Sequence, residues 1–373
     1  MAADADSEVY GLRTTGQDDD SLPMPSYIGL VKAVIPCQLQ LLNEIPENFN
    51  YFAQFRHFYC SAMDAGLILG FAVFWTVLRY AVTGMFFQPF FNNLGLNARS
   101  ARKAPESTFK SLWYLCSWLY TYDLLFNRDY KLFQNPASVY SGWHIDMEVP
   151  FDIYILYMYQ LGFYVHSMYA TFYMDTIRND FLMMILHHFV TIFLIFFSYS
   201  VRCHRMGMLV LFCHDLTDVF LEAAKIFNYT KERNGKSHLL NEIIANVLFV
   251  LFAISWVILR MYWYPLKVLY GGGCYGNSKV PLLTTMNVLI WMLQFLNIYW
   301  FWLIVKMVFK VLFGKETSFR DTREDQLEAK EKEEERLEKL KEKSKQNNDV
   351  HVPNGVDGVS QAPRQRIKTP KAD

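Results

Sequence analysis

Apolar residues along this chain come in long unbroken blocks rather than at the roughly 3.6- or 2-residue periods of half-buried helices and strands. Seven blocks, at about 62–87, 109–126, 150–173, 181–201, 206–227, 242–264 and 282–313, approach the roughly 20 residues a helix needs to cross a bilayer core. The second is the weakest, because Asp123 falls inside it and its flanks are polar. The pattern predicts an all-α, polytopic membrane protein, a helical bundle with about seven transmembrane helices.

Loop charge then predicts orientation. Arg99, Arg102, Lys103 and Lys110 follow the first block, Arg178 the third, and Lys231, Arg233 and Lys236 the fifth. The alternate loops hold Arg128 and Lys131, then Arg202 and Arg205, then Lys267 and Lys279, several beside acids or His. The first set is the more basic, which places the N-terminus outside (luminal, for the endoplasmic reticulum) and the C-terminus in the cytosol. The acceptor tripeptide Asn228-Tyr229-Thr230 then faces the cytosol and is expected to be unmodified. The N-terminus is acidic and polar, without a signal-peptide pattern, so insertion is expected to rest on the first apolar block. The domain reading is a luminal segment over 1–61, the first transmembrane helix and a cytosolic loop over 62–102, a membrane domain over 103–314, and a charged cytosolic tail over 315–373. That tail alternates acids and bases at i,i+4 spacing with sparse Leu, the pattern of a solvated helix running into disorder.

Composition adds exclusions. The formal net charge is zero, with 36 basic and 36 acidic residues, so no basic field points to nucleic acid. Six Cys show no C-x-x-C pair, which argues against a structural zinc site or a disulfide framework and suggests apolar fillers.

The fifth block carries His214, Asp215, Asp218, Glu222 and Lys225, which at 3.6 residues per turn fall within an arc of about 100°. A charge at mid-bilayer costs about 2.5–3.5 kcal/mol, while a Leu or Phe returns only about 0.3–0.6. Such residues are tolerable only facing a protein-lined or wet interior and pairing with one another. Glu222 and Lys225, one turn apart, suit an ion-paired seam. The fourth block carries His187 and His188, with His187, Thr191 and Ser198 on one face. Few residues join the two blocks, so an antiparallel hairpin should bring the histidines opposite Asp218 and Thr191 opposite Asp215. Histidines with carboxylates can bind a metal, but with nine His in all and no H-x-x-H-H box no metal is expected. The other chemistry is a His acting as general base or nucleophile, oriented by a carboxylate, as in acyl transfer.

The run HHFVTIFLIFFSYSVRCHRMGMLVLFCHDLTDVFLEAAKIFNY, residues 187–229, closely resembles the signature of the ceramide synthases within the TLC-domain membrane family. YQLGFYVHSMYATFYMDTIRNDF, RMYWYPLKVLY and NIYWFWLIVKM are similar to that family as well, and the resemblance covers roughly Lys103 to Gly314. Asn179 and Thr217 depart from its usual basic residue and Ser. Many animal members insert a homeobox-like segment after the first membrane helix. Here the corresponding loop, QPFFNNLGLNARSARKAPEST, is too short, so the chain resembles the homeobox-lacking type, which favours stearoyl-length chains.

The resemblance implies transfer of a fatty acyl chain from acyl-CoA to the amine of sphinganine or sphingosine, with acyl-CoA as co-substrate and no cofactor. It also implies a membrane of the endoplasmic reticulum, contact with membrane lipids, and pairing with itself or with other ceramide synthases. In that reading His187, His188, Asp218, Asp215 and His214 are catalytic, and Thr191, Ser198, Glu222, Lys225, Arg178, Tyr164 and His166 bind substrate. Two mechanisms stay open: a histidine deprotonates the amine during direct attack, or His187 first carries the acyl group. Arg99, Arg102, Lys103 and Lys110 could meet the CoA phosphates or serve only as topology signals. The Gly-rich YGGGCYGNSKVP stretch lies in the loop region that the family associates with acyl length. The alternatives are a non-catalytic lipid sensor or chaperone on the same scaffold, and a proton-coupled transporter.

Overall fold

The computed structural model describes residues 26–43, 51–128, 130, 132–175, 178–276, 280–313 and 336–337. Two units are distinguished, Met1–Arg323 and Glu324–Asp373. Of the second only residues 336 and 337 are described, as helix, so the expected tail structure otherwise lies outside the described residues.

The first unit is built of helices: α1 Tyr27–Asn43, α2 Ala62–Val82, α3 Ala98–Tyr122, α4 Phe151–Tyr173, α5 Phe181–Ser200, α6 His204–Tyr229, α7 Leu239–Ser255 and α8 Leu283–Phe313. Helix α2 opens on a reciprocal cap. The Ser61 hydroxyl accepts from the Asp64 N–H at 3.1 Å, and the Asp64 carboxylate accepts from the Ser61 N–H at 2.8 Å, which satisfies two of the donors a helix start leaves over. The helix then runs on through a π-helical turn, Thr83–Phe87, and Gln88–Asn93. Only residues 94–97 separate it from α3, whose first turn is capped by the Asn97 side chain on the Ser100 N–H at 2.8 Å. Helix α7 widens into a π-helical stretch, Trp256–Leu269, containing Pro265, and closes with an α turn, Tyr270–Cys274. The exception to the all-α pattern is a two-residue antiparallel pair, 232–233 with 236–237. Its Asn234-Gly235 turn has positive φ at both residues, the geometry that suits a tight hairpin.

Helices form at all seven apolar blocks, but among the described residues four are long and apolar enough to cross a membrane: Ala62–Asn93, Phe181–Ser200, Leu239–Cys274 and Leu283–Lys310. The expectation of seven spans is corrected to four by that standard. The other three, α3, α4 and α6, are the more polar helices. Helix α3 begins with the polar run Ala98–Lys110, α4 is rich in Tyr and holds Gln160 and His166, and α6 carries the five-residue polar stripe. Several of their polar side chains meet neighbouring helices: Tyr157 of α4 donates to the His204 carbonyl at 2.9 Å, and Tyr154 to Asp64 at 2.8 Å.

Helix α6 packs chiefly between α3 and α7 and also touches α5, to which residues 201–203 connect it; α4 packs on α2 and α5. The main core gathers Leu156, Tyr157 and Met158 of α4, Leu209 and Phe212 of α6, and Leu30, Val34 and Cys37 of α1. The cysteine expectation is corrected too: Cys37 and Cys274 form a disulfide with their Cα atoms 5.1 Å apart. A separation of 237 residues hides that pairing from any spacing argument.

Candidate functional site

The two histidines of α5 point to different neighbours. Adjacent residues on a helix diverge by about 100°. His188 turns toward α4, where its Nδ1 lies 3.3 Å from the Thr171 hydroxyl; that hydroxyl donates to the Ser167 carbonyl. Tyr164 packs edge-on against the His188 ring. His187 turns toward α8. Its ring meets Trp300 edge-to-face with centroids 5.3 Å apart, and its buried Nδ1 has no hydrogen-bond partner among the described residues. The Trp300 indole N–H donates to the Asp180 carboxylate at 3.2 Å, which ties α8 to the entry of α5.

On α6 the polar stripe is held residue by residue. His214 Nδ1 lies 2.7 Å from the Val210 carbonyl, and its Nε2 lies 3.3 Å from the Asn297 side-chain amide nitrogen. A carbonyl can only accept, so His214 is protonated on Nδ1 and its Nε2 accepts from Asn297. Asp215 is fully buried. One of its oxygens accepts from the Ser117 hydroxyl at 2.6 Å and from Gln160 Nε2 at 2.9 Å, and the Gln160 amide also donates to Ser117. The other oxygen has no hydrogen-bond partner among the described residues. Asp218 accepts from Arg260 at 3.0 Å, and Arg260 donates in addition to the His214 carbonyl at 2.8 Å with its guanidinium over the Trp256 ring. Glu222 and Lys225 pair at 2.8 Å, both buried. Among the described residues no hydrogen bond joins His187 or His188 to these carboxylates; the Thr191 hydroxyl is buried without a partner.

Histidines and acids are instead linked through α8. Asn297 and Trp300 lie three residues apart and so share a face; the first holds His214 and the second His187. Through Arg260 the same group reaches Asp218. A second charged cluster lies past the end of α4, where Asp175 takes Arg79 on one oxygen and Lys110 on the other, each at 2.6 Å. Lys110 also pairs with Glu106 at 2.7 Å, and Arg178 reaches Glu106 at 3.4 Å. Burial pulls the Asp175 carboxyl upward, but Lys110 and Arg79 together outweigh it and hold it well below the usual carboxylate range.

Two expected site residues stand elsewhere. His166 faces α2, with its Nδ1 2.8 Å from the Thr76 hydroxyl, which donates to the Ala72 carbonyl. The Ser198 hydroxyl donates to the Ile195 carbonyl and lies 3.0 Å from the Tyr157 oxygen, roughly 16 Å along α5 from His187 at 1.5 Å per residue. The sequence reading missed Ser117, Gln160, Thr171, Arg260, Asn297 and Trp300. Arg260, Asn297 and Trp300 lie within stretches that carried the resemblance, and Asn297 and Gln294 are the polar residues in the apolar middle of α8.

A TLC domain is matched over residues 103–306. Human ceramide synthase 1 is 45% identical over 261 residues, covering 69% of this chain and 74% of the relative. Mouse ceramide synthase 1 is 41% identical over 279 residues, covering 74% and 79%. Ceramide synthase LOH2 of Arabidopsis thaliana is 31% identical over 235 residues, covering 60% and 74%.

Proposed function

Because the chain belongs to the TLC-domain family, and within it to the ceramide synthases, we propose that it transfers a long, stearoyl-like acyl chain from acyl-CoA to the amine of sphinganine or sphingosine, giving dihydroceramide or ceramide and free CoA. The observation that carries the mechanism is the difference among three histidines. His214 has both ring nitrogens engaged, His188 has its Nδ1 against Thr171, and the His187 Nδ1 has no hydrogen-bond partner among the described residues. His187 is therefore assigned as acyl carrier. Its ring nitrogen attacks the thioester carbonyl, the C–S bond breaks, and the CoA sulfur leaves with the proton of the ring's other nitrogen. The neutral sphingoid amine then attacks the acyl-imidazole, the amide C–N bond forms, and the amine's surplus proton passes by way of a base to the departing imidazole, which restores it. His188 is assigned as that base, a role that contributes about 10²–10⁴ in rate in positioned cases. Arg260 and Asp218 hold the α6 side of the site, and Asp215 fixes α6 against α3 and α4.

We place the protein in the endoplasmic reticulum membrane with a luminal N-terminus. The excess of Lys and Arg after the first apolar block supports that side. The basic groups Lys110, Arg79 and Arg178 then lie on the cytosolic side, where acyl-CoA arrives.

The test is expression of the wild type and the His187→Ala, His188→Ala and Asp218→Ala variants in membranes lacking endogenous activity. A mixture of acyl-CoAs with sphinganine is supplied, and N-acyl products are quantified by mass spectrometry. Stearoyl product from the wild type, lost in the variants at equal protein abundance, is expected. A folded wild type that makes no amide would sink the reading.

A further inference from the structure

Helix α1 touches the π-helical stretch through Tyr27, which donates to the Met261 carbonyl and stacks on Tyr262, and further along it is fastened to the bundle by three kinds of contact. Its inward face is Leu30, Ala33, Val34 and Cys37, an i, i+3, i+4, i+7 stripe, while Ile28, Ile35 and Leu39 face outward. The seat for that face is Gly271-Gly272-Gly273, in the turn that closes the π-helical extension of α7. A Cβ on Gly273 would run into the Gln38 side chain of α1, one on Gly272 would come within 2.7 Å of the Asn287 side-chain oxygen of α8, and one on Gly271 would press on Met206 of α6 at 3.2 Å. The absence of side chains on this turn leaves the room that Gln38, Asn287 and Met206, from three separate helices, occupy. Asn287 donates to the Gly272 carbonyl at 3.2 Å and accepts from Gln38 at 3.5 Å. The next residue, Cys274, is bonded to Cys37.

The seat is continuous with the candidate site through α8. Asn287 is ten residues, about 15 Å, from Asn297 on the same helix. Asn297 and Trp300 are the side chains that hold His214 and His187. What fixes the start of α8 therefore also fixes the register of the groups around the histidines.

We propose that Cys37–Cys274 is a redox-sensitive clasp that seats α1 on the glycine triplet and, through α8, keeps the histidine site in its working arrangement. Two electrons and two protons from a dithiol, itself left as a disulfide, convert the bond to two thiols. Helix α1 then loses its covalent hold, and the start of α8 loses the contact relayed by Gln38. The activity part of this proposal rests on the acyltransferase reading above; the bond and its seat do not.

The experiment uses the full-length protein in its membranes. Thiols are reacted with a polyethylene-glycol maleimide after denaturation, with and without prior reduction, and counted by gel shift. Four additions before reduction, at Cys60, Cys116, Cys203 and Cys213, and six after it are expected; six without reduction would overturn the clasp. In parallel, amide formation is assayed with and without dithiol. Wild-type activity is expected to fall about fivefold, the lower end of ordinary site-to-site coupling. The Cys37→Ser, Cys274→Ser double variant should begin near that lowered level and not respond to dithiol. Wild-type activity that is unchanged once the thiol count confirms reduction would overturn the switch. Loss of all activity in the oxidised wild type would count against the acyltransferase reading alone, and the thiol count would still decide the clasp.

Discussion

The indole of Trp300 stands at 85° to the imidazole of His187, with ring centroids 5.3 Å apart, and its own N–H is held by Asp180. An edge-to-face contact of this kind fixes the plane of the imidazole without occupying either of its nitrogens. On the acyl-carrier proposal Trp300 is thus a positioning residue that leaves the buried His187 Nδ1 without a hydrogen bond.

Trp300→Ala is expected to lower kcat by about 10²-fold, since a displacement near 1 Å costs about that much in a positioned reaction. Trp300→Phe, which keeps a ring but loses the Asp180 hydrogen bond, should fall between that variant and the wild type. The check is amide formation at equal membrane abundance, with kcat and KM for acyl-CoA separated. A change confined to KM in both variants would contradict the role.

Asp215 is expected to behave as a stability residue as well as a site residue. Asp215→Ala removes the acceptor for both the Ser117 hydroxyl and the Gln160 amide, at about 1–3 kcal/mol for each buried group left unpaired. Asp215→Asn keeps one acceptor oxygen and should cost less. Thermal unfolding in detergent, read by intrinsic fluorescence, should rank wild type above Asn above Ala; equal midpoints for all three would refute the bonding scheme.

The apolar blocks located seven of the helices, because lipid and core impose the same demand for an apolar helix surface, but they missed α1, Tyr27–Asn43, which lies ahead of the first block. That shared demand is also why the blocks overcounted spans: α3, α4 and α6 are helices several of whose polar side chains meet other helices. The Glu222–Lys225 pair was legible because both partners sit on one helix, a turn apart. Ser117 and Gln160 were not, since their link to Asp215 crosses three helices at sequence separations of 98 and 55. His166 and Ser198 show the same limit. Each is a polar residue in an apolar helix, but each meets a neighbour away from the paired histidines, Thr76 for one and Tyr157 for the other. Pattern reports which positions are polar; only packing reports which polar positions meet.

Asp175 offers a test by pH, because it lies in the turn beyond α4 and joins Arg79 to Lys110. Despite burial, those two cations hold its carboxyl well below the usual carboxylate range, so its folded-state value is lower than its unfolded value of about 3.9. A group depressed in this way contributes its full stabilisation above the unfolded value and loses it as the pH falls through that value toward the folded one. The contribution should therefore be constant from about pH 8 down to about pH 5 and decline below about pH 4. Asp175→Asn leaves Arg79 and Lys110 without this partner and is expected to cost about 3–5 kcal/mol near neutral pH, the usual result of removing one side of a buried pair. Thermal midpoints of the two proteins, measured in detergent across that range, should run parallel at neutral pH and converge in acid. A gap that opens or closes between about pH 6 and 8 would mean that a group with a near-neutral titration, not the Asp175 carboxylate, governs this end of the bundle.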